Sequence, residues 1–131
     1  MAYNPNFDQV GQAFIQHYYS KFDVPDAAAR TVGLNDLYDA DQSFMTFEGN
    51  QVRGRAAILE KFGSLPFRTI QHAITKIDCQ PLQDGSIFVT VIGQLKTDDD
   101  PINSFNHCFV LKPNTVGSFF ISNEIFRLVL H

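Results

Sequence analysis

Three observations predict an α+β fold, in which helices near the start of the chain pack against one face of an antiparallel sheet. Apolar residues recur at helical spacing near the N-terminus, whereas long segments rich in β-branched and aromatic residues fill the second half. The connections between those segments are too short to contain crossover helices, which favours antiparallel pairing. The length of 131 residues indicates a single domain, residues 1–131, with its own core.

Three helices are predicted ahead of the long strands. The first covers residues 7–22, and Asn4 and Pro5 fit its N-cap and its first helical position. Residues 26–38 predict a second helix, which Gly33 weakens, and residues 54–62 predict a short third one. A single apolar stripe defines the first helix and contains Phe7, Val10, Phe14, Ile15, Tyr18 and Phe22.

Strands are predicted over most of the remaining chain. Residues 43–48 are aromatic and β-prone, and a turn at Gly49-Asn50 lets residues 51–53 pair back on them. Four longer strands follow, and because they exceed the usual length of about five to six residues, we expect the sheet to bend around the helices. Both faces of the sheet are apolar, so a second subunit is expected to cover the outer one. The four long strands cover residues 69–80, 86–95, 104–112 and 119–130.

Composition excludes several classes of protein. The chain is 44% hydrophobic and contains 13 Phe, which excludes intrinsic disorder, and its net charge of -4 argues against a nucleic-acid partner. It has no apolar run near the length of about 20 residues that spans a bilayer, and its first residues lack a secretion-signal pattern. We therefore expect a cytosolic or nuclear protein in which Cys79 and Cys108 are reduced, buried and structural.

No catalytic, phosphate-binding or zinc-protease motif occurs in the chain, and no cofactor or metal is expected. His72 alternates with Ile70 and Ile74 along a predicted strand, so its ring shares a face with two apolar side chains. It is either a base or ligand contact in an apolar pocket, or a packed histidine with one hydrogen bond. Since a single histidine without a matched acid or base does not make an acid–base site, the sequence predicts no enzymatic activity.

Three consecutive acids, Asp98, Asp99 and Asp100, precede Pro101 and form the sharpest local feature of the chain. Calcium binding is one interpretation, although the EF-hand spacing is missing. A cluster that meets the Lys or Arg side chains of a partner is a second, and a solvated loop that keeps the sheet edge polar is a third.

Two phenylalanines stand out by position. Phe7 opens the first helical stripe, and Phe47 lies beside Glu48 just before a glycine turn, where an aromatic side chain is often at a rim. Composition alone favours a core position for both.

Several short motifs, distributed in order along the whole chain, resemble the nuclear transport factor 2 family. The stretch at 14–19 reads FIQHYY and is followed by FEG at 47–49 and GRAAI at 54–58. Further on come SLPF at 64–67, IQH at 70–72, GQLK at 93–96, DDDPI at 98–102 and a chain end that begins FRL at 126–128. Members of that family carry Trp where Phe7 and Phe47 stand, and Met where Ile125 stands.

The resemblance implies a fold, a function and a set of site residues. It implies a cone-shaped α+β subunit that forms a homodimer, binds the small GTPase Ran in its GDP form and imports it into the nucleus, and contacts Phe-rich nucleoporin repeats at the nuclear pore. In the family an aromatic side chain of Ran enters an apolar cavity, and acids on its rim pair with basic residues of Ran. Matched by position, the rim acids are Glu48, Asp98 and Asp100. The cavity lining is Phe47, Leu65, Ile70, His72 and Ile125, and the nucleoporin contact is Phe7.

Two alternative functions stay open at this point. The same fold hosts isomerases and dehydratases, so an enzyme that uses the cavity on a small hydrophobic molecule, with His72 as base, is one of them. The other is an interaction module for an mRNA-export or scaffold protein. The cavity's acids favour the carrier over the enzyme, and binding assays with GDP-loaded and GTP-loaded Ran separate the carrier from the interaction module.

Overall fold

The structure is a computed structural model that describes residues 2–115 and 117–130. Its helices all precede the long strands, as predicted. The α-helices are α1 Phe7–Phe22, α2 Ala27–Leu34 and α3 Arg55–Gly63, and short 3-10 helices cover Asn35–Leu37 and Gln83–Gly85.

Six strands form a single curved sheet in the spatial order β2-β1-β6-β5-β4-β3. All neighbouring strands are antiparallel except β1 and β6, which run parallel. The expectation of a wholly antiparallel sheet is therefore wrong for this one pair. Short connections fix the direction only of strands that follow each other along the chain, and β1 and β6 do not. The strands are β1 Phe44–Phe47, β2 Asn50–Arg53, β3 Ile70–Pro81, β4 Ile87–Thr97, β5 Asn103–Pro113 and β6 Phe119–Val129.

The helix bounds agree with the predictions to within one residue except at the end of α2, and the predicted cap of α1 is also wrong. The N-cap of α1 is Asn6, not Asn4; the side chain of Asn4 instead accepts a hydrogen bond from the Asn6 N–H at 2.9 Å, in a turn before the helix. The second helix ends at Leu34, four residues early, and continues as the 3-10 turn Asn35–Leu37. Tyr38 then takes an extended conformation, and its hydroxyl donates to Glu124 at 2.6 Å.

Bulges interrupt two of the long strand pairs and help to bend the sheet. The β3–β4 register shifts between Ile74 and Lys76, and the β5–β6 register shifts between Val110 and Leu111. At Gly93 on β4 a side chain would lie 2.4 Å from the carbonyl oxygen of Ala73, so only glycine allows this close approach of β3. The register is unbroken from Ile70 through His72 to Ile74, so these three side chains share a face as expected, although Ile74 is 37% exposed.

The concave face of the sheet is covered by the helices, while its outer face is bare in the isolated chain. Ile15, Phe105 and Phe109 are buried between α1 and the sheet. On the outer face large apolar side chains remain accessible, among them Phe88, Ile92 and Ile125, with exposures of 36%, 46% and 52%. None of the described helices is long and apolar enough to cross a membrane.

Both cysteines are free thiols, as expected, but each is half-buried rather than buried. Burial, together with neighbouring Asp8, raises the pKa of Cys79 to about 11. This thiol is therefore protonated at neutral pH and unreactive as a nucleophile.

Candidate functional site

A cavity of about 270 Å³ opens at one end of the concave sheet, between α1, the strands and the segment that follows α3. Most of its lining is aromatic or aliphatic. Four of the five residues predicted to line it do so: Phe47, Leu65, Ile70 and His72. The rest of its lining is Tyr18, Tyr19, Phe22, Glu48, Pro66, Phe67, Leu95, Thr97, Asp100, Asn103, His107, Phe126 and Leu128.

The parallel pairing of β1 with β6 builds one wall of the cavity. It sets Phe47 directly beside Phe126, and their rings stack with centroids 4.9 Å apart and an interplanar angle of 15°. Phe126 stacks in turn on Phe105 at 5.8 Å. The aromatic wall thus joins the first strand of the chain to the last two.

Ile125, the fifth predicted lining residue, does not line the cavity. Successive residues of a strand point to opposite faces of a sheet, so the inward position of Phe126 forces Ile125 outward. Its side chain is 52% exposed on the outer face, next to Cys108 of β5. The prediction was displaced by one residue, which in a strand exchanges one face for the other.

Two of the three predicted rim acids, Glu48 and Asp100, line the cavity. Glu48 accepts a hydrogen bond from the Leu128 N–H at 2.6 Å, which fixes one carboxylate oxygen at the edge of β6. The Asp100 carboxylate accepts from the Thr97 hydroxyl at 3.3 Å. Within residues 2–115 and 117–130, neither acid has a basic side chain at ion-pair distance. Both therefore present negative charge that is not neutralised inside the molecule.

Asp98, the third predicted rim acid, does not line the cavity. Its carboxylate accepts from the backbone N–H of Thr69 at 2.9 Å and of Arg68 at 3.0 Å. The hydrogen bond from Thr69, followed by that from Arg68, lowers the pKa of the Asp98 carboxyl. We term residues 65–67 the cavity lip. Asp98 thus connects the β4–β5 turn to the residues that follow this lip.

Arg30 supports the lip from behind, a role that sequence reasoning missed. Its side chain is buried, and its guanidinium lies over the rings of Phe22 at 5.2 Å and of Phe67 at 5.4 Å. It also donates to the carbonyl oxygens of Phe22 at 2.9 Å and Val24 at 3.0 Å. The residue therefore joins the end of α1 to the lip through cation–π contacts and backbone hydrogen bonds.

His72 forms a close pair with Asp23, the C-cap residue of α1. The ring Nδ1 lies 2.6 Å from Asp23 Oδ1, and the backbone N–H of His72 donates to Oδ2 at 2.9 Å. The His72 side chain is only 4% exposed, and its face lines the cavity. From the sequence, His72 was either a group that faces the cavity or a packed histidine with one hydrogen bond. In the structure its side chain is both.

A second histidine pair lies deeper, and its histidine forms part of the cavity floor. The Nε2 of His107 lies 2.6 Å from Glu124, whose carboxylate also accepts from the hydroxyls of Tyr18 at 2.8 Å and Tyr38 at 2.6 Å. The Nδ1 of His107 meets the Tyr19 hydroxyl at 2.7 Å. Burial lowers the pKa of His107 in spite of the Glu124 carboxylate, and burial raises the pKa values of all three tyrosines well above 10.

The sequence-based prediction of a single cavity histidine without a titratable partner is therefore wrong. His107 also lines the cavity, and Asp23 and Glu124 each pair with a histidine. A signal for the second pair was present, because His107 alternates with Phe105 and Phe109 and so occupies an inward position of its strand. Within the described ranges no three side chains of His, Cys, Asp or Glu are grouped to hold a metal ion.

Phe7, the predicted nucleoporin contact, is the first residue of α1 and does not line the cavity. It is half-buried and packs against the core. Its ring therefore has one side on the protein and another on solvent, away from the cavity lining.

The model of the nuclear transport factor 2 domain matches residues 10–128. The chain belongs to the nuclear transport factor 2 family. It is 63% identical to a protein of Caenorhabditis elegans named probable nuclear transport factor 2, over 100% of this chain and 98% of that protein. It is 44% identical to nuclear transport factor 2 of Oryza sativa subsp. japonica, over 92% of this chain and 95% of that protein.

Solved structures agree with the fold. Nuclear transport factor 2 from Cryptosporidium parvum superposes with a TM-score of 0.88 at 40% identity, over 98% of this chain and 99% of the other. The yeast UBP3-associated protein BRE5 superposes with a TM-score of 0.77 at 24% identity, over 95% and 97% of the two chains. At that identity the second likeness extends to the fold alone.

Proposed function

We propose that this protein is a nucleocytoplasmic transport carrier that binds Ran in its GDP form and Phe-rich nucleoporin repeats and imports Ran into the nucleus. Such a carrier acts in the cytoplasm, in the nucleus and at the pore. The names of its full-length relatives support the transport role. The observation that carries the Ran assignment is an aromatic-lined cavity with two acids on its rim, Glu48 and Asp100, that no basic side chain of the described chain neutralises.

The cavity and its rim fit a partner that offers an aromatic side chain beside Lys or Arg. A ring inserted between Phe47, Leu65 and Ile70 contributes buried apolar area, as binding hot spots commonly do. The carboxylates of Glu48 and Asp100 add orientation and a faster encounter with a basic surface. Asp98 acts in the same site through the lip, since its carboxylate is occupied by backbone N–H groups.

Calorimetric titration with GDP-loaded and GTP-loaded Ran tests this proposal. We expect saturable binding of the GDP form and at least about a tenfold weaker response to the GTP form, because a rearranged switch region would withdraw both the aromatic and the cations. The neighbouring acids Asp99 and Asp100 offer a matched pair of variants. Asp100→Lys should weaken binding by at least about thirtyfold, whereas Asp99→Lys, whose acid does not line the cavity, should weaken it far less. Equal binding of both nucleotide forms would exclude the nucleotide-selective carrier and favour an interaction module for another partner.

The proposal assigns nucleoporin repeats to Phe7, at the opposite end of α1 from the Asp23 cap. A half-buried ring offers an apolar edge to the Phe side chains of a repeat while its other side is held by the core. Because Phe7 does not line the cavity, one subunit can contact Ran and a repeat at the same time.

A second copy of this chain is the proposed cover for the outer sheet face. Phe88, Ile92 and Ile125 expose apolar side chains there, and a sheet face of this kind is commonly closed by an identical subunit. Ile125, which the cavity does not use, lies in this face. Sedimentation equilibrium should give a dimer at micromolar concentration, and Ile125→Asp should give a folded monomer; a parent chain that sediments as a monomer would contradict the dimer.

The proposal is for a carrier without enzymatic activity. His107 has both ring nitrogens in short contacts with Tyr19 and Glu124, so it has no free site for a substrate proton. His72 has one nitrogen bound by Asp23, and within the described residues neither rim acid, Glu48 or Asp100, forms a hydrogen bond with its ring. Turnover of a hydrophobic carbonyl compound that is lost in His72→Ala would contradict this part of the proposal.

A further inference from the structure

We propose that the cavity is also a binding site for a small neutral aromatic molecule that carries one N–H or O–H donor, and that the donor binds the Nε2 of His72. The site occupies the same cavity as the proposed protein partner but does not depend on that partner's identity.

The cavity has the size and lining for such a ligand. Its volume is about 270 Å³, and an apolar protein cavity of about 150 Å³ is known to accept benzene. Aromatic rings line it on several sides, among them Phe47, Phe67 and Phe126, and planar rings pack well in offset or edge-to-face contact with them. It therefore has room for one ring or two fused rings.

The contact with Asp23 decides which ring nitrogen of His72 is the donor and which is the acceptor. An ionised carboxylate only accepts hydrogen bonds, and the Asp23 carboxylate lies 2.6 Å from Nδ1 and 2.9 Å from the backbone nitrogen of His72. When the imidazole is neutral, its proton therefore lies on Nδ1, and Nε2 carries a lone pair. Nε2 has no hydrogen-bond partner within residues 2–115 and 117–130, and the side chain is only 4% exposed. The buried polar atoms that lack a partner do not include Nε2, so it is an acceptor that solvent reaches from the cavity and that a bound ligand would desolvate.

Three other polar groups of the lining have also used their protons elsewhere. With Glu124 ionised and His107 neutral, Nε2–H of His107 donates to the carboxylate, and its Nδ1 accepts the proton of the Tyr19 hydroxyl. The Tyr19 oxygen therefore has only lone pairs left to offer a ligand. At the rim, Thr97 donates its hydroxyl proton to Asp100. Around His72 the described lining is thus apolar surface with acceptors.

A ligand without a donor would leave the His72 acceptor desolvated and unpaired. That loss is roughly 1–3 kcal/mol, equivalent to about a fivefold to hundredfold change in affinity. The chemical class selected is thus a phenol or an indole rather than an arene or an aryl ether, ester or ketone.

Indole and benzofuran make a matched pair of probes, because the two molecules share a shape and differ in N–H against O. Each is titrated into the full chain in the absence of Ran, with binding followed by the chemical shifts of the amide groups of cavity residues. We expect indole to bind saturably and at least about fivefold more tightly than benzofuran. Equal affinities, tighter benzofuran binding, or shifts that do not saturate would overturn the proposal.

Two variants test the role of His72. His72→Phe keeps a ring in place but removes the acceptor, so the preference for indole should disappear while benzofuran still binds. Asp23→Asn is the sharper variant, because its amide oxygen can accept the His72 backbone N–H while its NH₂ donates to Nδ1. The proton then moves to Nε2. The affinity for benzofuran, relative to that for indole, should therefore rise by about tenfold compared with the parent. An unchanged ratio in a folded Asp23→Asn protein overturns the proposal even if His72→Phe does not fold.

Asp99→Asn serves as the control, since it makes the same chemical change on an exposed acid that does not line the cavity. It should leave the indole-to-benzofuran ratio unchanged. These titrations contain no protein partner, so their failure leaves the Ran proposal intact, and failure of Ran to bind leaves the ligand site intact.

Discussion

Two histidine–carboxylate pairs lie along the same inner face, and they differ in what surrounds them. His72 with Asp23 and His107 with Glu124 have equal nitrogen–oxygen distances of 2.6 Å. Asp23 is 20% exposed and leaves one nitrogen of its histidine unpaired, whereas Glu124 is 1% exposed and accepts from three donors. The first pair faces the cavity with an open position, and the second is saturated.

Completeness of hydrogen bonding, not residue type, therefore separates a ligand-binding pair from a structural one. A saturated buried network has nothing left to offer a ligand, and its loss would leave several donors unpaired. A pair whose vacant acceptor is reached by solvent costs the fold little and remains available for recognition.

The same chemical change at the two pairs should have unequal effects on stability. Glu124→Gln removes the charge that accepts from Tyr18, Tyr38 and His107, and should lower the free energy of unfolding by about 3 kcal/mol or more. Asp23→Asn, at the more exposed pair, should lower it by about 1 kcal/mol or less. Urea unfolding monitored by circular dichroism gives both values. Equal losses would mean that the two pairs contribute alike to the stability of the fold.

Alkaline pH should destabilise the saturated network. Tyr18, Tyr19 and Tyr38 have raised pKa values, chiefly because they are buried, so they stay protonated in the folded protein when the unfolded chain ionises. Their contribution is therefore full below pH 10 and is lost as the pH rises above it, by about 1.4 kcal/mol per pH unit for each tyrosine. Tyr38→Phe should reduce the slope by one tyrosine, and a free energy of unfolding that stays flat to pH 12 in the parent would contradict the burial effect.

At the open end of the molecule, binding and stability should separate. Glu48→Gln keeps an acceptor for the Leu128 N–H but removes the charge, so Ran-GDP affinity should fall by about tenfold, or about 1.4 kcal/mol, with the melting temperature nearly unchanged. Calorimetry and thermal unfolding on the same sample measure the two quantities. A fall in both by the same free energy would mean that Glu48 acts through the fold rather than on the partner.

The smallest effect on Ran is expected from Phe7→Ala. This residue lies outside the cavity, so Ran-GDP affinity should change by less than about threefold, or about 0.7 kcal/mol. Retention on immobilised Phe-rich repeats should weaken clearly in the same variant. If both activities declined together in a folded protein, the two contact surfaces would not be separate.

Periodicity accounts for most of what the sequence predicted correctly. The stripe from Phe7 to Phe22 fixed α1 to the residue, and alternation located the long strands within two residues at each end. Each of these patterns lies within one segment of the chain and can be recognised without knowing what packs against it. The parallel pairing of β1 with β6 depends on contacts between distant parts of the chain, and no local pattern carries that information.

The site was predicted less completely than the fold, for the same reason. Glu48 and His72 were found at the cavity because their neighbours follow a family pattern. Ile125 was misplaced by one residue, since a family match gives a position in sequence and the strand decides the face. Asp23 was missed because a helix-terminal Asp is commonplace, and only the fold brings it to β3.

The parallel contact between β1 and β6 sets a limit on when the molecule can be completed during synthesis. Phe44 pairs with Asn123, so the first hairpin has no sheet to join until β6 has left the ribosome. The same last strand brings Phe126 to the cavity wall and Glu124 to the buried tyrosines. A chain cut short before β6 would therefore lose not one strand but three from the sheet, and the nascent protein must wait for β6 before it has this cavity wall and the buried carboxylate.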